Sequence, residues 1–219
     1  MRATADPRDG RGRDCVLIVF AKAPDPGRVK SRLWPAIGPD GAARLQARLV
    51  RRAVATAVRA GCADVVLSCA PRVNHPFFER TALAHGIARQ AQGRGDLGAR
   101  MARALARGLA THRFALLMGS DCPSLDVARL RRAAAALRDG RDAVFAPAED
   151  GGYALVGLAR RSTGLFRGVP WGTGEVMAAT RARLRRLGWR WEELPAVWDV
   201  DRPEDLARLR RLRLLRRAA

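Results

Sequence analysis

Long apolar runs are missing from this 219-residue chain. The longest early one, Val16 to Ala21, falls far short of the roughly 20 residues a membrane helix needs, and it is too short for a signal-peptide core. A cytoplasmic protein with no membrane partner is expected. Cysteine is scarce: Cys15, Cys62, Cys69 and Cys122 show neither C-x-x-C spacing nor a histidine at metal-ligand distance in sequence. That spacing argues against a zinc site and a disulfide framework, and it predicts reduced thiols. Lysine is almost absent, since only Lys22 and Lys30 among the 41 basic residues are lysine. The arginines are scattered over every helical stretch beside Ala and Leu, as on solvated faces, so the formal charge of +20 predicts no specific nucleic-acid partner.

What is present is enough for a sizeable core. With 48% hydrophobic residues and this length, one large α/β domain over 15–217 is expected, after a disordered lead-in over 1–14 that mixes charge with Gly and Pro. The run Val16 to Ala21 reads as a strand buried on both faces, which is the mark of a parallel sheet. Further strands are expected at Ala63 to Ala70, Ile87 to Gln92, Phe114 to Met118, Asp142 to Ala148, Tyr153 to Leu158 and Trp189 to Trp198. Helices alternate with them: Asp40, as N-cap, to Gly61, with Leu45, Leu49, Ala53 and Ala57 on one face; Pro76 to His85, closed by Gly86; Gly98 to His112; Asp126 to Asp139; Thr173 to Leu187; and Pro203 to Arg217. The turn-forming Glu149-Asp-Gly-Gly152 joins two of the strands as a hairpin, so the sheet is mixed and mostly parallel, with helices on both faces.

Ligands of open α/β sheets bind beyond the carboxyl ends of the strands. The segment after the first strand, Lys22-Ala-Pro-Asp-Pro-Gly-Arg-Val-Lys-Ser-Arg-Leu33, holds both lysines of the chain. Gly27 permits close backbone approach, and Lys22, Arg28, Lys30 and Arg32 are placed to surround a polyphosphate; the Walker A spacing is absent. A lysine ammonium is a compact point charge on a flexible stem, suited to a phosphate that moves during reaction, which makes Lys30 a catalytic candidate. After the fourth strand, Met118-Gly-Ser-Asp-Cys-Pro-Ser-Leu125 ends on Asp121, whose carboxylate suits Mg²⁺ or Mn²⁺ held jointly by protein and substrate phosphates. The alternative for Asp121 is a turn or capping aspartate, and Cys122, with no histidine beside it, is a poor nucleophile.

Near the end, Trp198-Asp-Val-Asp-Arg-Pro-Glu-Asp-Leu206 places Asp199 and Asp201 on the same side if the strand persists, where both face one cation. Asp201 also opens an Asp-x-x-Glu capping box with Glu204. Between these, Pro147-Ala-Glu-Asp-Gly-Gly-Tyr153 carries the single tyrosine. Gly151 and Gly152 let backbone approach a sugar or phosphate, and Asp150 is a candidate base or acceptor-hydroxyl ligand; a plain hairpin turn explains the glycines as well. Pro170-Trp-Gly-Thr-Gly-Glu175 precedes a helix, with Thr173 as N-cap or the helix end as an anion site.

These residues resemble a known family. The segments Phe20 to Leu33, Gly119-Ser-Asp-Cys-Pro-Ser-Leu125, Asp150-Gly-Gly-Tyr-Ala-Leu-Val-Gly-Leu158, Pro170-Trp-Gly-Thr173 and Asp199-Val-Asp-Arg-Pro-Glu-Asp-Leu206 are similar to those of bacterial GT-A superfamily proteins known as arsenosugar-biosynthesis-type glycosyltransferases, or radical-SAM/selenodomain-associated transferases. The chain is also similar to nucleotidylyltransferases of that superfamily, notably phospholactate guanylyltransferase. The resemblance implies a single-domain, Rossmann-like GT-A (nucleotide-diphospho-sugar transferase) fold. It implies phosphate contacts from Lys22, Lys30 and Arg32 and a Mg²⁺ or Mn²⁺ ion on Asp121 and Asp201. Ser31 and Arg202 depart from the threonine common at their positions. The function expected is glycosyl transfer from a nucleotide-sugar to a small-molecule acceptor. The alternative is nucleotidyl transfer from a nucleoside triphosphate to a phosphorylated small molecule with release of pyrophosphate, and a non-enzymatic nucleic-acid binder, resting on charge alone, comes third.

Overall fold

The computed structural model describes residues 14–162 and 164–212. The expected lead-in, apart from Asp14, and the expected end of the last helix lie outside those residues. Strands β1 (Cys15–Lys22), β2 (Asp64–Ala70), β3 (Ala88–Ala91), β4 (Phe114–Gly119), β5 (Ala143–Pro147), β6 (Tyr153–Leu158) and β7 (Trp191–Glu193) form one sheet in the order β3-β2-β1-β4-β6-β5-β7. All neighbouring pairs are parallel except those of β6, which runs antiparallel to both β4 and β5. The mixed, mostly parallel sheet of a Rossmann-like α/β domain is therefore present, and the Glu149–Gly152 hairpin is what reverses β6.

Helices α1 (Trp34–Ala60), α2 (Pro76–His85) and α4 (Val127–Arg138) cover one face, while α3 (Leu97–Thr111) and α5 (Val176–Arg186) cover the other. This is why β1 is apolar throughout. Leu17, Val19 and Ala21 pack into the first layer with Val50, Val54 and Phe78, and the intervening Val16, Ile18 and Phe20 pack into the second with Leu105, Leu109 and Met177. Burying each such large side chain on either face is worth about 1.5–3 kcal/mol before entropy. A close approach on the second face needs Gly108, where a Cβ would meet the Val16 side chain at 2.7 Å. Among the described residues no helix is long and apolar enough to cross a membrane.

A third, smaller cluster fixes the functional end of the molecule. Leu33, Leu45 and Leu49 at the start of α1 pack against Trp198, Val200, Leu206 and Leu209, and so seat α6 (Pro203–Arg211) and the segment before it beside the loop that follows β1.

Four local expectations change. The long helical run of α1 starts within a residue of the expected place, at Pro39 after the non-helical Gly38 (φ 66°, ψ 169°), so Asp40 lies inside its first turn and is not its cap; a short helical turn over 34–37 precedes it. Gly61 ends it in the left-handed conformation, as expected. Helix α5 begins at Val176 rather than Thr173, because the Thr173 hydroxyl turns back to donate to the Pro170 carbonyl and accepts the Glu175 N–H. The last strand shrinks to Trp191–Glu193 with one further bridge, Val197 to Ala148, and does not continue through Asp201. The expected Asp201–Glu204 capping box is instead made by Asp205, whose carboxylate accepts the backbone N–H groups of Asp201 and Arg202 at 2.9 and 2.7 Å.

Candidate active site

Lys22 ends β1, Asp121 follows β4, Asp150 sits in the β5–β6 turn, and Asp199 follows the Val197 bridge; all four line one pocket of about 410 Å³. Leu97, Met101, Tyr153 and Trp171 line the same pocket. Asp150 and Asp199 also line an adjoining recess of about 200 Å³ that holds Asp201 and Arg32. The structure thus brings together Lys22, Asp121, Asp150, Asp199, Asp201 and Arg32 from segments far apart in sequence. Gly152 lines the pocket beside Asp150, with its N–H donating to that carboxylate at 2.9 Å. Gly151, at φ +86°, has a packing reason: a Cβ there would meet the Gly174 backbone oxygen at 2.1 Å. Gly27 and Arg28 are exposed on the rim of the first loop and line neither cavity.

The two lysines are in opposite states. Lys22 is exposed at the pocket. Lys30 is held at φ 46° and ψ 48°, unusual for a residue with a Cβ, and its side chain is 4% exposed. Its ammonium donates to the Val200 carbonyl at 2.7 Å and lies 3.3 Å from the Asp121 carboxylate. Beside it, Arg32 pairs with Asp201. Two cations of the first loop are therefore already matched to the two carboxylates expected to meet a metal.

The acids that remain are crowded. Burial, then the neighbouring Asp150, with Asp201 and Asp121 adding, pushes the Asp199 carboxyl up to about 6, against a hydrogen bond from its own backbone. Among the described residues no three carboxylate, imidazole or thiol side chains already form a metal-binding group. The Cys122 thiol is buried, raised by that burial and in contact with the Ser124 hydroxyl, which fits the reading that it is no nucleophile.

Several supports of the site carried no sequence signal. Buried Gln92 donates to the carbonyls of Ala21 and Ser68 at the carboxyl ends of β1 and β2, and accepts from Arg100. Gln46 donates to the Lys22 carbonyl, and the Arg52 guanidinium on α1 clasps the Pro123 carbonyl after Asp121. Glu149 makes two hydrogen bonds to Arg208, whose guanidinium also stacks on Trp198, tying α6 to the β5–β6 turn. The indole N–H of Trp171 and the hydroxyl of Tyr153 are buried and lack hydrogen-bond partners among the described residues.

The family model of DUF2064, described as an uncharacterized protein conserved in bacteria, matches residues 53–173, more than half of the chain. The chain belongs to this family. No curated protein matches it. Among solved structures, the DUF2064 chain is similar to a proposed nucleotide-diphospho-sugar transferase from Desulfovibrio desulfuricans G20, with 30% identity over 90% of this chain and 87% of that one and a TM-score of 0.82. It shares its fold with a nucleotidyl transferase from Methanothermobacter at 16% identity, 92% and 98% coverage and TM-score 0.59. It shares it also with glucosyl-3-phosphoglycerate synthase from Mycobacterium tuberculosis, solved with Mn²⁺, UDP and glucosyl-3-phosphoglycerate, at 11% identity, 98% and 84% coverage and TM-score 0.55. The GT-A-like fold and the transferase class expected from the motifs stand.

Proposed function

We propose that this DUF2064 protein transfers a glycosyl group from a nucleotide-sugar to a small-molecule acceptor with the help of Mg²⁺ or Mn²⁺. The observation that supports this most is the mixed lining of one pocket, which combines Lys22, Asp121, Asp150 and Asp199 with the uncharged Leu97, Met101, Tyr153 and Trp171. A diphosphate suits the charged residues and a sugar, with its apolar C–H face, suits the aromatic ones. The narrower likeness to arsenosugar-biosynthesis-type glycosyltransferases points the same way.

The residues fit a hard divalent cation. Asp121 and Asp199 offer oxygen donors at the pocket and Asp201 offers another at the recess, and the crowding that raises Asp199 is what a cation relieves. Such ions commonly take one or two carboxylates plus substrate phosphates, so a complete protein cage is not required. When bound, the ion supplies charge neutralisation for the nucleoside diphosphate as it leaves. Lys22 adds a mobile positive charge to the same phosphates. Asp150 orients the acceptor hydroxyl or takes its proton, and Gly152 keeps the backbone beside it uncluttered. Lys30 acts from behind: bound to the Val200 carbonyl, it holds Asp121, and Arg32 does the same for Asp201. Their effect on phosphates runs through those carboxylates unless the ion pairs open.

Nucleotidyl transfer draws on the basic first loop and is the second reading. It is weaker because Lys30 and Arg32 face carboxylates. Specific nucleic-acid binding is not part of the proposal, since arginines on many elements are matched locally, among them Arg89 with Glu79, Arg132 with Glu192 and Arg181 with Glu193. The test is incubation with a panel of nucleotide-sugars and Mn²⁺ or Mg²⁺, following slow release of free sugar and nucleoside diphosphate, with water standing in for the acceptor. Inert, unbound nucleotide-sugars, together with pyrophosphate release from a nucleoside triphosphate and a phosphorylated acceptor, would replace this reading with the second.

A further inference from the structure

At the amino end of the sheet, away from the pocket, Cys15 opens β1 and Cys62 lies in the turn between α1 and β2. The parallel register pairs Val16 with Asp64, which draws the residues just before them together. The two sulfurs stand 3.3 Å apart in a thiol–thiol hydrogen bond. A disulfide is about 2.05 Å long, so about 1 Å of sulfur movement separates this pair from a bond. Cys15 is fully buried in the core, whereas Cys62 is half-buried and lines a cavity of about 870 Å³ together with Asp64, His85 and His112. One sulfur is thus reachable and the other waits behind it. Cys69 and Cys122 are both buried and line no part of this cavity.

We propose that Cys15 and Cys62 are an oxidisable dithiol, a modification site for small hydroperoxides that closes to an intramolecular disulfide. The order of events follows from the surroundings. Cys62 is the half-buried sulfur, and its thiol is drawn below its usual range, first by its hydrogen bond with Cys15 and then by the Arg138 guanidinium, against burial, while the buried Cys15 is pushed up. Arg138 is itself held by Asp14. The Cys62 thiolate attacks one peroxide oxygen; an S–O bond forms, the O–O bond breaks, and the leaving hydroxide takes a proton to become water. The Cys15 sulfur then attacks the Cys62 sulfur of the sulfenic acid; the S–S bond forms, the S–O bond breaks, and hydroxide leaves as water with the Cys15 proton. Two thiols lose two electrons and one hydroperoxide gains them.

The bond would clip the start of β1 to the end of the α1 turn, at the opposite end of β1 from Lys22. Oxidation is therefore expected to alter stability and leave the pocket intact. The test is titration of the purified full chain with hydrogen peroxide, followed by intact mass, thiol counting after denaturation and peptide mapping. The expected result is a loss of two hydrogens, a fall from four thiols to two, a Cys15–Cys62 cross-link reversed by dithiothreitol, and a higher midpoint of thermal unfolding. Cys62→Ser, at the half-buried position, should retain its remaining thiols under the same treatment; in Cys15→Ser the sulfenic acid of Cys62 should persist and be trapped by dimedone. Four surviving thiols, over-oxidation of Cys62 without a cross-link in the wild type, or a disulfide between any other cysteines would overturn the proposal.

Discussion

The two ends of the sheet treat charge in opposite ways. At the amino end ionisable groups are paired: His112 meets Asp64 at 2.7 Å and Thr111 at 2.9 Å, and Arg138 holds Asp14. At the carboxyl end burial, and after it the neighbouring Asp150, Asp201 and Asp121, push Asp199 up to about 6. Folding tolerates such crowding only where other interactions hold it, here the cluster around Trp198 and Leu206 and the Lys30 bridge. Paired groups hold the amino end; at the carboxyl end Asp121 and Asp201 are paired with Lys30 and Arg32, and the crowding of Asp150 and Asp199 beside them fits the cation proposed there.

The largest effect expected from disturbing this contrast comes from Asp121→Asn. A neutral amide cannot replace an anionic ligand to a hard cation, so metal-dependent turnover should vanish while the circular dichroism spectrum and unfolding midpoint stay near those of the wild type. Full turnover in that variant, or in the wild type with excess chelator, would remove the metal from the mechanism. Next comes Lys30→Ala, which deletes a buried cation that serves both Val200 and Asp121. A charged hydrogen bond is worth about 1.5–3 kcal/mol, so turnover per unit substrate should fall roughly 10- to 150-fold, with a lower unfolding midpoint as well. A loss of turnover without loss of stability would instead indicate direct phosphate contact by Lys30.

Sequence showed the sheet well because its signals are local. The β1 run is apolar at every position since alternate residues face different layers, and Glu149-Asp-Gly-Gly152 reverses the chain wherever it stands. It also marked segments that meet at one pocket, because Lys22, Asp121, Asp150 and Asp199 all stand at or beyond strand ends. What it did not show depends on distance along the chain. Lys30 meets a carbonyl 170 residues away, and no local pattern announces that its charge is used internally. Cys15 and Cys62 have no motif spacing, and only the parallel register of β1 and β2 makes them neighbours. The last strand ends sooner than its sequence suggests, at Glu193, and the Asp205 carboxylate holds the N–H groups of Asp201 and Arg202 at the start of α6, yet Asp199 and Asp201 still reach adjoining cavities.

At the matched end, His112→Phe tests the contrast from the other side. The imidazole is 5% exposed and bonded through both nitrogens. Its removal should cost about 1–3 kcal/mol of stability, read by urea denaturation, because Asp64 and Thr111 lose a partner in a sheltered place. Turnover at a temperature where the variant is folded should not change. A fall in turnover would mean that the two ends of the sheet are coupled.

The smallest effect sharpens the contrast most. In the folded, metal-free protein Asp199 ionises at about 6, above its ordinary value of 3.8. The folded state therefore holds the proton where the unfolded chain has released it, so stability is greatest below the ordinary value and declines as pH rises from about 4 to about 6, staying at the lower level beyond. Allowing for the part of the carboxyl that faces solvent, the loss at neutral pH is about 1–2 kcal/mol. Asp199→Asn removes the ionisation, and in chelator it should raise stability at pH 7 by that amount and flatten the decline between pH 4 and pH 6. Adding Mn²⁺ should narrow the gap between wild type and variant, because the cation stabilises the crowded carboxylates only where they remain charged. Equal pH profiles for the two proteins in chelator would mean that the acids at the carboxyl end are as well matched as those at the amino end, and the physical case for a cation between them would fall.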